Sequence, residues 1–146
     1  AVPGIPALCS GAALLGAPLI HDFAAISLSD LLTPWETIEK RLNAASSADF
    51  VIVIYNPRSK KRSWQLEEAR EIIMRHRSPE TVVGIVTGAM RDNQRVELTT
   101  IGGLDTSVVD MQTTLFIGNS RTFEFENKMV TPRGYGDKYR LDVMKF

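Results

Sequence analysis

Cysteine is nearly absent from this sequence: Cys9 stands alone among 146 residues. One thiol cannot close a disulfide within the chain, and it cannot supply a cysteine metal site. Histidine is almost as scarce, and His21 and His76 lie far apart with no metal-ligand spacing. An excess of either charge is missing too. Lysine plus arginine number 17 and aspartate plus glutamate number 17, so the formal net charge is zero. Binding to a phosphate backbone draws on a basic excess, so nucleic acid is disfavoured as the main partner. No apolar run is long enough to span a bilayer, because the stretch 12–20 is short and is broken by Gly16 and Pro18. Nothing reads as a signal peptide. There is no repeat, no G-x-G-x-x-G, no P-loop and no G-x-S-x-G. These absences leave a cytoplasmic protein as the default, long enough for one domain with a core of its own.

What is present centres on residues 49–62, DFVIVIYNPRSKKR. Six apolar residues in a row, 50–55, are rich in β-branched side chains and fit a strand buried on both faces. Asn56-Pro57 ends it, because proline cannot donate to a ladder. A basic loop with Arg58 follows, and Ser59 or Ser63 is placed to cap a helix. In open α/β sheets, ligands bind outside the carboxyl ends of the strands, so this loop is either a ligand loop or a solvated turn.

The segment 3–19, PGIPALCSGAALLGAPL, reads as a helix. Pro6 suits its first turn, Leu8, Ala12 and Leu15 follow at helical spacing, and Gly16 stops it. Its small residues permit either tight packing on a sheet or close approach of a flat ligand. Residues 20–30 alternate as a short edge strand. His21-Asp22 precedes it. Histidine titrates near neutrality and serves as acid or base, although a lone loop histidine is as readily a surface residue. Thr33, Pro34 and Glu36 have the spacing of an N-cap, a first helical residue and a capping box. Residues 64–76 form another amphipathic pattern. His76 at its end suits the helix dipole, which is a sufficient structural reason for it. Residues 82–87 and 95–101 read as an antiparallel hairpin, and 113–118 as a last buried strand. The remainder, 121–146, mixes aromatic and charged residues and reads as a basic, aromatic tail, either a mobile arm or a lid over an acidic ligand.

Several of these segments together resemble the C-terminal domain of the tetrapyrrole (corrin and porphyrin) methyltransferases. The segments are PGIPALCSGAALLGAPLIHDF, ISLSDLLTPWE, ADFVIVIYNPRSKKR, VGIVTGAMR, DMQTTLFIGNS and MVTPRGY. They cover nearly the whole chain. ISLSDLLTPWE and YNPRSKKR point to the branch that methylates C17 of a precorrin-3 type tetrapyrrole and contracts the ring in cobalamin synthesis. The resemblance implies an α/β domain at 1–120, with a mixed sheet of about five strands flanked by helices. It also implies an N-terminal domain upstream carrying the rest of the site, in keeping with a chain that begins at a turn, Ala1-Val2-Pro3-Gly4.

The cofactor implied is S-adenosylmethionine, leaving as S-adenosylhomocysteine. By resemblance its contacts fall on Pro6 and Ala7 after the Pro-Gly turn, Asn56 after the strand-ending tyrosine, Ala89 after the G-I-V strand, and Thr113 and Thr114. Pro6 departs from the serine or threonine common in relatives, so its contact is by carbonyl or shape. His21 and Asp22 are the candidates for the proton transfers of ring contraction. Arg58 is the candidate for substrate carboxylates, which arginine pairs with bidentately. No metal site is expected, and homodimers are usual in the family. Two other readings stay open: methylation of another corrin carbon, and a domain that serves only substrate binding or dimer formation.

Overall fold

The structure, a computed structural model, describes residues 1–59 and 63–134. Within them lie three α-helices and two sheets. The larger sheet has five strands in the order β2-β3-β6-β4-β5: β2 (Phe23–Ser27), β3 (Val51–Tyr55), β6 (Thr113–Ile117), β4 (Val82–Thr87) and β5 (Arg95–Thr100). β2 runs parallel to β3, and β6 runs antiparallel to both β3 and β4. The carboxyl ends of β2, β3 and β4 therefore open on the same side. This is the mixed α/β sheet expected from the sequence. The middle position belongs to β6, however, and β3 lies one place from the edge.

The β-branched run does bury both faces: Val51, Ile52, Val53 and Ile54 are at most 1% exposed. Helices α2 (Trp35–Ser47) and α3 (Gln65–Met74) cover one face through Ile38, Leu42, Leu66, Ala69, Ile72 and Ile73. Helix α1 (Ala7–Leu15) covers the other, where Leu15 joins Val53, Val86 and Phe116. The hairpin β4–β5 forms as its alternation implies, pairing Val82 with Thr100 through Thr87 with Arg95. No helix among the described residues is long and apolar enough to cross a membrane.

Helix starts differ from expectation. Pro34 is extended at φ −54°, ψ 140°, which places it outside α2 as the N-cap. Its carbonyl, rather than the Thr33 hydroxyl, takes the first helical N–H groups, from Thr37 and Ile38. No side-chain cap forms, so the capping box is not made. At α3 the cap residue is Trp64, already helical, and neither Ser59 nor Ser63 caps it. Gly16 does stop α1, at φ 124°.

Residues beyond 120 continue the fold. β7 (Phe123–Phe125) and β8 (Lys128–Val130) form a hairpin through Glu126 and Asn127, whose φ values of 47° and 57° suit a tight turn matched to strand twist. β8 pairs in parallel with β1 (Gly16–Ala17), making the small sheet β1-β8-β7. The Lys128 ammonium donates to the Leu14 carbonyl, which ties this hairpin to the end of α1. The rest of the aromatic tail, 135–146, lies outside the described residues.

Candidate functional site

The loops at the carboxyl ends of β3 and β4 meet the first turn of α1 over a cavity of about 350 Å³. Known small-molecule sites span roughly 300–1,000 Å³. Ala7 and Ser10 of α1 form one wall, Tyr55 and Asn56 a second, and Gly88 and Ala89 a third, with Val86 and Thr114 beneath. Five of the six residues implied for the cofactor, Ala7, Asn56, Ala89, Thr113 and Thr114, thus line one cavity. They come from three strand ends and a helix.

Local geometry fixes each loop. Asn56 leaves β3 with φ 48°, a left-handed conformation that asparagine tolerates, and its amide nitrogen donates to the Ser27 hydroxyl at 3.0 Å. Gly88 leaves β4 with φ 58°. A Cβ there would stand 2.5 Å from Asn93 Oδ1, so both conformation and space require glycine. The Gly88 N–H donates to the Gln112 carbonyl, and the Asn93 amide donates to the Gln112 side chain at 2.7 Å. The loops after β4 and before β6 are therefore clamped together.

The two threonines differ. Thr113 points to the α2–α3 side of the sheet. Its hydroxyl donates to Asp110 Oδ1 at 2.9 Å and bonds Thr87 Oγ1 at 2.9 Å, so it is consumed in holding the loop. Thr114, one residue on, faces the α1 side. It is only 7% exposed, and its hydroxyl has no partner among the described residues.

Pro6 does not line the cavity. It is the N-cap of α1, and its carbonyl already accepts from Cys9 and Ser10, which leaves shape as its contribution. Tyr55 is legible in the sequence only as a strand end, yet its hydroxyl accepts the Leu8 N–H at 2.9 Å. Burial raises its pKa above the ordinary phenol value of 10.0, the Leu8 bond works against that shift, and Cys9 adds to it. Side-chain alternation along β3, which puts Tyr55 with Val53 on the α1 side, is the signal that could have found it.

Arg58 lines a neighbouring, larger cavity of about 780 Å³ together with Ser63, Ser107, Val109 and Asp110. The two cavities share Met111 and Gln112. The Arg58 guanidinium donates to the Thr106 carbonyl at 2.7 Å, which holds it on the cavity wall. His21 and Asp22 are not brought to either cavity. Both are exposed, at the amino end of β2, where Asp22 donates its N–H to His21 Nδ1 and its carbonyl accepts from Val51. His76 bonds Asn43 through Nε2 at 3.2 Å.

The model of the Tetrapyrrole (Corrin/Porphyrin) Methylases matches residues 1–105. The chain is 50% identical over 141 residues to the cobalt-factor III methyltransferase of Priestia megaterium, covering 97% of this chain and 26% of that protein. It is 49% identical over 134 residues to the probable cobalt-factor III C(17)-methyltransferase of Salmonella typhimurium, covering 92% and 56%. The chain thus spans about a quarter of the first relative and a little over half of the second. The crystal structure of the methyltransferase CobJ matches with a TM-score of 0.85 and 37% identity, over 89% of this chain and 54% of that one. On the family match over residues 1–105 and this shared fold, the chain belongs to the tetrapyrrole (corrin/porphyrin) methylases.

Proposed function

We propose that the chain supplies the nucleoside-binding half of an S-adenosylmethionine site. The protein carrying it would transfer the methyl group to C17 of a precorrin-3 type tetrapyrrole, with ring contraction, in cobalamin synthesis. The observation that carries this reading is the convergence of Ala7, Asn56, Ala89, Thr113 and Thr114 on one cavity. The residues suit the group. Gly88 and Ala89 leave room for a flat base, Val86 gives it an apolar floor, and Thr114 has a spare hydroxyl. The names of the half-identical relatives support the acceptor class.

A bound sulfonium supplies an activated methyl group whose transfer needs little acid–base help. The task of the protein is then alignment, which supplies much of the rate. In this reading the 350 Å³ cavity holds the nucleoside, and the adjoining Arg58 cavity takes a carboxylate-bearing edge of the acceptor. An N-terminal domain of the same enzyme completes the site, and the enzyme works as a homodimer in the cytoplasm. His21 and Asp22 serve ring contraction only where the acceptor or a partner surface reaches the amino end of β2.

The test is calorimetric titration of the chain with S-adenosylhomocysteine beside an Ala89→Trp variant. Half a site forgoes about 4 kcal/mol of binding free energy, roughly a thousandfold in affinity, so binding should be weak. The tryptophan should abolish it by filling the cavity. Absence of binding up to about millimolar ligand would sink the assignment of the nucleoside site to this chain alone.

A further inference from the structure

The first turn of α1 is capped from a distance. Pro6 is the N-cap residue and has no hydroxyl or carboxylate to offer, and no side chain from its own segment caps the helix. The N–H of Leu8, the second helical residue, is one that an N-cap side chain ordinarily satisfies. Here it goes to the Tyr55 hydroxyl, 47 residues away. The bond uses a lone pair of the phenol and leaves its proton free, and nothing among the described residues accepts that proton. A hydroxyl that accepts one hydrogen bond becomes a better donor for the next. Tyr55 lies on the wall of the nucleoside cavity.

The sheet register places a second free hydroxyl beside it. Ile54 pairs with Leu115, so one step further Tyr55 comes opposite Thr114, which also pairs with Val86. Directly opposite residues of an antiparallel pair project to the same face. Tyr55, Thr114 and Val86 thus form one row under the first turn of α1, and all three line the cavity. Thr114 is 7% exposed as a residue, and its hydroxyl is unused by the described residues. Its oxygen is not among the buried unpaired atoms, so the hydroxyl opens on the cavity, where a ligand can reach it.

We propose that Tyr55 is a ligand-contacting hydroxyl, paired with Thr114, whose contact the family resemblance already implies. Tyr55 both closes α1 through Leu8 and donates its proton to an acceptor atom of a bound adenine nucleoside, with Thr114 bonding the same ligand from the adjacent strand. This rests on the cavity being the nucleoside site.

The direct contact and the helix cap can be separated, because serine at position 6 would restore a local cap for Leu8. The experiment is titration of the whole chain, and of its Tyr55→Phe, Thr114→Val and Pro6→Ser/Tyr55→Phe variants, with S-adenosylhomocysteine. Exchange of the Leu8 amide is followed by NMR without ligand. Tyr55→Phe should speed exchange at Leu8 and weaken binding about tenfold, as expected for removal of one ligand hydrogen bond. Thr114→Val should weaken binding several-fold with Leu8 unaffected. Pro6→Ser/Tyr55→Phe should regain protection at Leu8 without regaining affinity. If the double variant recovers affinity, Tyr55 acts only through the helix and the contact is refuted. If Tyr55→Phe binds within twofold of the parent chain, the pair is refuted outright. If the parent chain itself shows no binding, the assignment of the nucleoside site to this chain alone fails, and this inference falls with it.

Discussion

Leu15 rests on the bare backbone of Gly84: a Cβ added to that glycine would stand 2.6 Å from Leu15 Cδ1. Phe116 meets Gly11 in the same way, its ring 2.7 Å from where a Cβ would be. One glycine is on the sheet and one on the helix. Together they let α1 lie closer to β4 and β6 than ordinary side chains allow. That closeness brings Ala7 and Leu8, at the far end of the helix, within reach of Tyr55.

Gly84→Ala should therefore destabilise the chain by about 1–3 kcal/mol, the cost of overpacking a filled core. Leu15→Ala alone should cost about 2–5 kcal/mol for the cavity it leaves. The two together should cost less than their sum, because the new methyl occupies part of that space. Urea unfolding of the single and double variants measures this coupling. Strict additivity would mean that the two residues do not share the volume.

The difference between what can and cannot be read from the sequence follows the same division between local and distant. β3 is legible because an unbroken β-branched apolar run suits a doubly covered strand, and β4–β5 because its alternation is local. The convergence of Ala7, Asn56, Ala89 and Thr114 is reached by resemblance, since no spacing along the chain reports it. The caps at Pro34 and Trp64 are not legible, because a serine or threonine before a helix offers a hydroxyl without deciding which carbonyl closes the first turn. Thr113 and Thr114 look alike in sequence. Only the facing of β6 ties the Thr113 hydroxyl to Asp110 and leaves the Thr114 hydroxyl unused at the cavity they both line. The hairpin β7–β8 is hidden because three-residue strands carry too little pattern to be told from a tail.

Arg77 makes a second long-range connection, at the opposite end of the large sheet from the cavity beneath α1. It is 8% exposed and donates to the carbonyls of Gly118 and Phe50, and at 3.4 Å to that of Ala45. The ends of β6 and α2 and the approach to β3 thus converge on one guanidinium. Burial lowers its pKa from the ordinary guanidinium value, and the nearby Asp49 charge opposes that shift. Arg77→Met should cost about 2 kcal/mol. It strands buried carbonyls at about 1–3 kcal/mol each, while removing the desolvation of a buried charge recovers part of that penalty. A change below about 0.5 kcal/mol in denaturant unfolding would mean that water replaces the guanidinium.

The part-buried phenol of Tyr55 predicts a loss of stability in alkali. Its folded pKa lies above 10.0. Below pH 10 the phenol is protonated in both folded and unfolded chains, and the stabilisation is complete. As the pH rises past 10, the unfolded chain loses this proton first, which favours unfolding until the folded phenol titrates as well. Unfolding free energy followed from pH 8 to 12 should therefore fall more steeply in the parent chain than in Tyr55→Phe. Parallel curves would show that the phenol titrates alike in both states.

His21 and Asp22 stand about one strand length from the cavity lined by Tyr55 and Thr114, at the amino end of β2, whereas the cavity opens at the carboxyl ends. Five strand residues at about 3.3 Å each span roughly 17 Å, well beyond the screening length of about 8 Å at physiological salt. Both residues are exposed, which weakens any influence further. His21→Ala and Asp22→Asn should therefore change affinity for S-adenosylhomocysteine less than about twofold. A role in the proton transfers of ring contraction would then show only in the product. In the two-domain enzyme proposed above, the variants would accumulate methylated material that has not contracted, separable by mass and absorbance. If instead either variant weakens cofactor binding tenfold, the two ends of the sheet are coupled, and the cavity extends its reach through the body of the domain.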